Sequence, residues 1–349
     1  MDNILPAYND PLFSILVIIV LVLIVAISSL VMGRVKETKK RKTLKDFLSG
    51  FNKNKHFSEI EEMPFEPSLV EPLRLLAHSF ATQGDYQKAI NLNLYLIENI
   101  SNFFEKKRIL EQLGHTYLRA GFLKRSESIF LEILHKHPRD INALYKLGIV
   151  YELLRQYDKA LETIKPLKIL KEDTNSLEAH LKLSQLLENP TLTKEEKVEE
   201  LTSLIKEEFY PYRRVMKALF TLDINVAWNT IQQEKIDSIL DILWFLPSSN
   251  LNFDIISSDE TLSAIYLAKG IIELPKVPPK SNIFSIDTII SAKIGGNNSV
   301  DLLFNYGCGK CKQHFPIAFT RCPKCYAIDA IQIKETLAKK QSQTRYSLL

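Results

Sequence analysis

The feature that most limits how this chain can fold is an internal repetition. Residues 76–80 read LAHSF, 113–117 read LGHTY and 147–151 read LGIVY. A small residue recurs at Ala77, Gly114 and Gly148, and an aromatic at Phe80, Tyr117 and Tyr151. Nine residues beyond each aromatic stands another small residue, Ala89, Ser126 and Ala160. The spacings between units are 37 and 34 residues, with turn signals at Gly84-Asp85-Tyr86, Gly121-Phe122 and Gln156-Tyr157. Small side chains on two helices let them approach closely, and the aromatic fills the next hole. A two-helix unit cannot bury its apolar face alone, so such units must stack on their neighbours. The fold expected is therefore mostly α, a helical solenoid over 68–274, regular over 68–190.

The pattern weakens beyond residue 170. Leu177–Leu187 fits a fourth first helix, with Leu181, Ser184 and Leu187 in comparable places. Thr193–Phe209 reads as a charged amphipathic helix with Thr193 as its N-cap. Met216–Thr230, Ile236–Phe245 and Leu262–Ile272 look helical but do not keep the register, so 191–274 reads as degenerate repeats or a helical cap. Trp228 and Trp244 are expected in the core. Tyr210-Pro-Tyr212 and Arg213-Arg214 are candidate partner contacts on a surface that solvation explains equally well.

Upstream, Leu12–Met32 is a run of 21 uncharged residues whose only polar side chains are three serines. As a helix it spans about 30 Å, the thickness of the hydrocarbon core. A cleaved signal peptide would start basic and have a shorter apolar run; this start is acidic, which favours an uncleaved anchor over 1–33. No Lys or Arg precedes the run, and seven follow between Arg34 and Lys45. That asymmetry places everything after the span in the cytoplasm and the amino terminus in the periplasm. Residues 34–67 then form a basic tether. The net charge of +4 arises within residues 1–45, a surplus of six over 34–45 less Asp2 and Asp10: from Asp46 onward 38 basic residues face 38 acidic ones. Such balance argues against nucleic-acid binding, which rests on neutralising phosphates.

All four cysteines fall within one stretch: Cys308-Gly-Lys-Cys311, ten residues, then Cys322-Pro-Lys-Cys325. Two such pairs supply the four corners of a tetrahedral metal site. Disulfides are disfavoured in a reducing cytoplasm, and a thiol redox pair needs only one motif. Zinc and iron both accept four thiolates, so the ligand set implies one ion of either kind without choosing. His314 lies in the spacer and is expected at the surface. Pro275, Pro278 and Pro279 suggest a stiff linker over 275–299. Residues 300–333 are expected to form the small metal domain, with Tyr306, Phe315, Phe319, Tyr326 and Ile328 as its core and 334–349 as a tail. A domain so small needs a metal staple.

The 34-residue helix pairs resemble the tetratricopeptide repeat. The order of anchor, basic stop, repeats and terminal knuckles resembles the lipopolysaccharide assembly protein B family, with a rubredoxin-like carboxyl-terminal domain. The residues carrying this are GDYQKAI, ILEQLGHTYLRAGFLKRSESIF and YDKALE in the repeats, and YGCGKCKQHF and RCPKCYAI in the knuckles. Lys312 stands where the rubredoxin turn usually has Gly, and the stretch 170–275 is shorter than in the family. The resemblance implies an inner-membrane scaffold that regulates lipopolysaccharide synthesis. In the family such a protein brings the early lipid A deacetylase to a membrane AAA+ protease, and its knuckle domain docks on the repeats. Two other readings remain at this level: a rubredoxin-like electron carrier and a generic protein-binding scaffold. An enzyme is not expected, because no Walker motif, G-x-S-x-G elbow or H-E-x-x-H appears.

Overall fold

The computed structural model describes residues 65–206 and 209–340. The expected membrane span, most of the basic tether and the last nine residues lie outside the described residues. No helix among the described residues is long and apolar enough to cross a membrane.

Six helices form three antiparallel pairs: α1 (Val70–Gln83) with α2 (Tyr86–Asn99), α3 (Phe103–Arg119) with α4 (Leu123–Lys136), and α5 (Ile141–Leu153) with α6 (Tyr157–Ile169). The small residues sit where the two helices of a pair meet. A Cβ on Gly114 would lie 2.9 Å from the Phe130 ring, and one on Gly148 would lie 2.8 Å from Thr163 Oγ1. Ser126 is fully buried, and its hydroxyl donates to the Gly114 carbonyl at 2.8 Å. The three turns share one hydrogen bond: the carbonyls of Phe80, Tyr117 and Tyr151 accept from the N–H of Asp85, Phe122 and Gln156 at 2.9, 2.9 and 2.8 Å. That closure needs a left-handed residue just before the donor. Gly84 and Gly121 supply it, with φ of +94° and +79°; in the third unit Arg155 must adopt φ +57°.

Helix α7 (Asn175–Glu188) continues the stack, and α8 (Lys194–Leu204) begins at Thr193 with a complete capping box to Glu196. Beyond it the helices shorten. The single helix expected over Met216–Thr230 is two, α9 (Tyr212–Leu222) and α10 (Ile224–Asn229). Asp223 divides them, its side chain accepting from the N–H groups of Asn225 and Val226 and so starting a new helix. A 3-10 turn (Gln233–Ile239), α11 (Leu240–Phe245), α12 (Phe253–Ser258) and α13 (Glu260–Lys269) complete the cap. Trp228 and Trp244 are buried within it. The stretch expected as a linker contains α14 (Phe284–Ile294). Its buried face, Ile286, Ile289 and Ile290, follows helical spacing, and the prolines lie only ahead of it.

The chain ends in an antiparallel sheet of order β2-β1-β3, from β1 (Val300–Cys308), β2 (His314–Phe315) and β3 (Ile331–Lys339). Strand β3 pairs with β1 from Cys308↔Ile331 to Val300↔Lys339. The domain therefore does not stop at 333: residues 334–339, expected in the tail, form the partner that β1 needs along its whole length. The inner face of β1, Leu302, Phe304 and Tyr306, joins the cap helices in one hydrophobic core with Trp228, Trp244 and Tyr266. This corrects the expectation of a small separate core.

Candidate metal centre

Strand β1 delivers Cys308 at its last position, and the chain turns through Lys310 to Cys311. The second pair, Cys322 and Cys325, repeats the same local geometry. Lys312 N–H donates to the Cys308 carbonyl at 2.8 Å, and Tyr326 N–H donates to that of Cys322 at 2.9 Å. Cys308 N–H and Cys322 N–H reach the carbonyls of Gln313 and Ala327 at 2.9 and 2.8 Å. Two equivalent knuckles thus face one another. Each closes on a left-handed residue, Lys312 at φ +59° and Tyr326 at +61°, positions that glycine fills without strain.

The four sulfurs lie within 4.8 Å of one another. Across the knuckles, Cys308 Sγ is 3.6 Å from Cys325 Sγ, and Cys311 Sγ is 3.7 Å from Cys322 Sγ. A disulfide needs about 2.05 Å, whereas a tetrahedral ion with sulfur bonds of about 2.3 Å needs sulfur–sulfur edges of about 3.8 Å. The arrangement fits the second. Electrostatics points the same way. Burial raises the Cys308 thiol, but the N–H groups of Cys311 and Lys310 and the neighbouring thiols outweigh it and bring it down to about 7. Burial pushes Cys325 up to about 12, and the other three sulfurs add to that. Burial raises Cys322 as well. A cation held among the sulfurs would favour the thiolate form at the buried, raised Cys322 and Cys325. His314 is exposed on β2, away from this ligand set.

The second knuckle is fastened to the repeats. Arg321, immediately before Cys322, donates through both Nε and Nη2 to one carboxylate oxygen, Oε2, of Glu152 at the end of α5. Glu152 also accepts from His180 Nε2 at 2.8 Å. The other ring nitrogen of His180 faces Arg214 Nη1 at 3.2 Å, so Nδ1 is the acceptor and Nε2 carries the hydrogen. Arg214 donates further to Ser184 Oγ at 2.8 Å. One connected chain of polar groups therefore links the metal domain, the third repeat, α7 and α9. Burial raises the Glu152 carboxyl, but the hydrogen bonds from His180 and Arg321 overcome this and bring it down to about 2. Beside this latch Tyr326 lies edge-on to His115 at 6.3 Å, with Lys146 Nζ 5.6 Å from its ring centroid. Burial, with Lys146, Arg119 and His78 nearby, lowers His115 to about 4. A third tie joins β1 to the cap: Tyr306 donates to Asp241 at 2.8 Å, and Arg213 holds both oxygens of the same carboxylate.

Arg213 and Arg214, expected as candidate surface contacts, are thus largely committed to internal bonds. Tyr326 belongs to the repeat interface rather than to a core of its own. Sequence reasoning missed Glu152 and His180. A signal existed for the first: in the repeat register Glu152 stands where the preceding unit has the buried Leu118. A carboxylate at an apolar position asks for a partner.

Residues 129–162 match the family model for the tetratricopeptide repeat. Lipopolysaccharide assembly protein B of Escherichia coli K12 is 28% identical over 110 residues, 31% of this chain and 28% of that protein. The protein of the same name from Haemophilus influenzae is 26% identical over 147 residues, 41% of this chain and 36% of its own length. The chain thus carries a tetratricopeptide-repeat match and is similar over part of its length to proteins named lipopolysaccharide assembly protein B. The Arabidopsis thaliana protein CTR9 homolog is 34% identical over 113 residues but only 10% of its length. The matched segments span little more than a third of these relatives at most.

Proposed function

We propose that this protein is an inner-membrane-anchored scaffold that regulates lipopolysaccharide synthesis. It would bring the early lipid A deacetylase to a membrane AAA+ protease and so limit its abundance. The observation that supports this most is the partial likeness of the chain to proteins named for lipopolysaccharide assembly, together with a tetratricopeptide-repeat match over residues 129–162, a fold that typically presents protein-binding surfaces. The uncharged run 12–32 and its basic flank suit a cytoplasmic array tethered at the inner membrane. Cys308, Cys311, Cys322 and Cys325 hold one zinc or iron ion, which crosslinks the knuckles and fixes Arg321 and Tyr326 for docking. We read the protein as non-enzymatic: its largest polar clusters join structural elements to one another.

Depletion of the protein should raise the deacetylase level without raising its transcript. A form lacking residues 1–33 should fail to restore control, because tethering supplies the local concentration near a membrane protease. An unchanged deacetylase level on depletion would reject the regulatory reading.

A further inference from the structure

A cleft of about 910 Å³ opens between α9, the 3-10 turn and β3. Its lining includes Ile331–Lys334, the first residues of β3. That strand pairs with β1 on one side and with no other described strand, so its second edge offers backbone donors and acceptors to an incoming chain. Phe209, nearly half exposed, and Phe319, stacked edge-on against Phe315 at 5.2 Å, give the walls apolar surface.

The charges select what can lie there. Lys217, Lys235 and Lys334 line the cleft, and none makes a salt bridge to a described carboxylate. Lys235 instead bonds to the Tyr210 hydroxyl at 3.0 Å and stands over two tyrosine rings. The acidic groups of the lining are Asp237 and Asp329, and the latter faces His180, Arg214 and Arg321. A compact anion such as phosphate would need converging donors. The arginines that might converge are occupied: Arg213 by Asp241, Arg214 by His180 and Ser184. The remaining cations come from three separate elements, which suits several carboxylates borne on an extended chain. Alternate side chains of a strand share a face at about 7 Å spacing.

We propose that this cleft binds an extended acidic segment of a partner protein, which joins the sheet as a further strand beside Ile331–Lys334. The proposal rests on the scaffold reading only in that the partner is a protein. Backbone pairing supplies affinity and the lysines supply selection.

The test uses the full chain in detergent micelles. A random nine-residue peptide library is panned against it and against a Lys217→Glu, Lys334→Glu double variant; both positions are exposed. Unchanged metal content and helical circular dichroism would show that the variant is folded. Peptides enriched on the native chain should be acidic at alternate positions. They should bind the variant at least about tenfold more weakly, equivalent to about 1.4 kcal/mol. N-methylation of alternate peptide amides should weaken binding similarly, since it removes strand donors. No acidic enrichment, or binding indifferent to the double variant, would overturn the proposal. Indifference to N-methylation would overturn strand addition, and full displacement by millimolar inorganic phosphate would reassign the cleft to compact anions. Deacetylase abundance is read separately, so failure of the regulatory reading would leave this binding result standing.

Discussion

Replacing Glu152 with Gln should loosen the metal domain from the repeats, and the structure sets the size of the effect. The side chain is only 11% exposed and meets both His180 and Arg321. Its pKa falls from the ordinary 4.5 to about 2, which at about 1.4 kcal/mol per pH unit corresponds to roughly 3 kcal/mol of stability near neutrality. Removing one partner of a buried ion pair also leaves the other charge uncompensated, with a cost of similar size, about 3–5 kcal/mol. Urea unfolding at pH 7 should therefore show E152Q less stable by about 3 kcal/mol. Amide exchange should rise across 321–328 before the helices exchange. The folded carboxyl is depressed, so its contribution is complete above pH 4.5 and is lost as pH falls toward 2. Acid also releases thiolate-bound metal, but it does so in both proteins, so the difference between them isolates Glu152 and should shrink across that window. Combining E152Q with Arg321→Met should recover part of the loss, because the unpaired cation is gone. A difference below about 1 kcal/mol at pH 7 is what an exposed pair gives, and it would refute the latch.

Other substitutions test separate features. Cys322→Ser should abolish binding of the single metal ion and disorder residues 300–340. Because β1 shares the cap core, near-ultraviolet dichroism from Trp228 and Trp244 should change while most helical signal persists. Full metal occupancy in that variant would remove the four-thiolate assignment. Arg155→Gly should raise stability by up to about 1 kcal/mol, since a left-handed non-glycine residue is strained. The Arg155–Glu188 pair it removes is exposed and contributes little; a lower thermal midpoint would contradict this. Gly148→Leu should cost about 3 kcal/mol by forcing α5 and α6 apart against Thr163, and an unchanged urea midpoint would count against that packing.

How much of this was legible in the sequence follows from how local each signal is. The repeat pairs were readable because close helix packing admits only small side chains at Ala77, Gly114 and Gly148. The start of α8 was readable because Thr193 and Glu196 lie three residues apart and cap one another. The cysteine site was readable because each knuckle brings its two ligands together within four residues. The cap was not, since α10, α11 and α12 are six residues each and too short for periodicity to separate them. Their ends are set by local caps such as Asp223 and by tertiary burial. The metal domain is expected to end at 333 because the half-buried alternation of β3 acquires meaning only when β1 is beside it. The latch was the least visible. Glu152, His180, Arg214 and Arg321 come from four distant segments, and nothing in the sequence relates a carboxylate in one repeat to an arginine about 170 residues later.

The ten residues between the cysteine pairs show what a metal at the four cysteines would do in a repeat fold of this kind. Both ends of the spacer are tied to sulfur ligands, at Cys311 and Cys322. Between them it contributes Ala318, Phe319 and Thr320 to the cleft wall and Arg321 to Glu152. A loop of this length would otherwise sample many conformations, and each ordered residue costs roughly 1–2 kcal/mol of backbone entropy. The repeats hold it through Arg321, the sheet through the two residue pairs of β2, and the core through Ala318 and Phe319. An ion bound by four thiolates would fix both ends at once, and the latch would carry that geometry into α5, α7 and α9. The helices supply a rigid frame, an ion at the four cysteines would supply the crosslink that the short sheet lacks, and the cleft lies beside both.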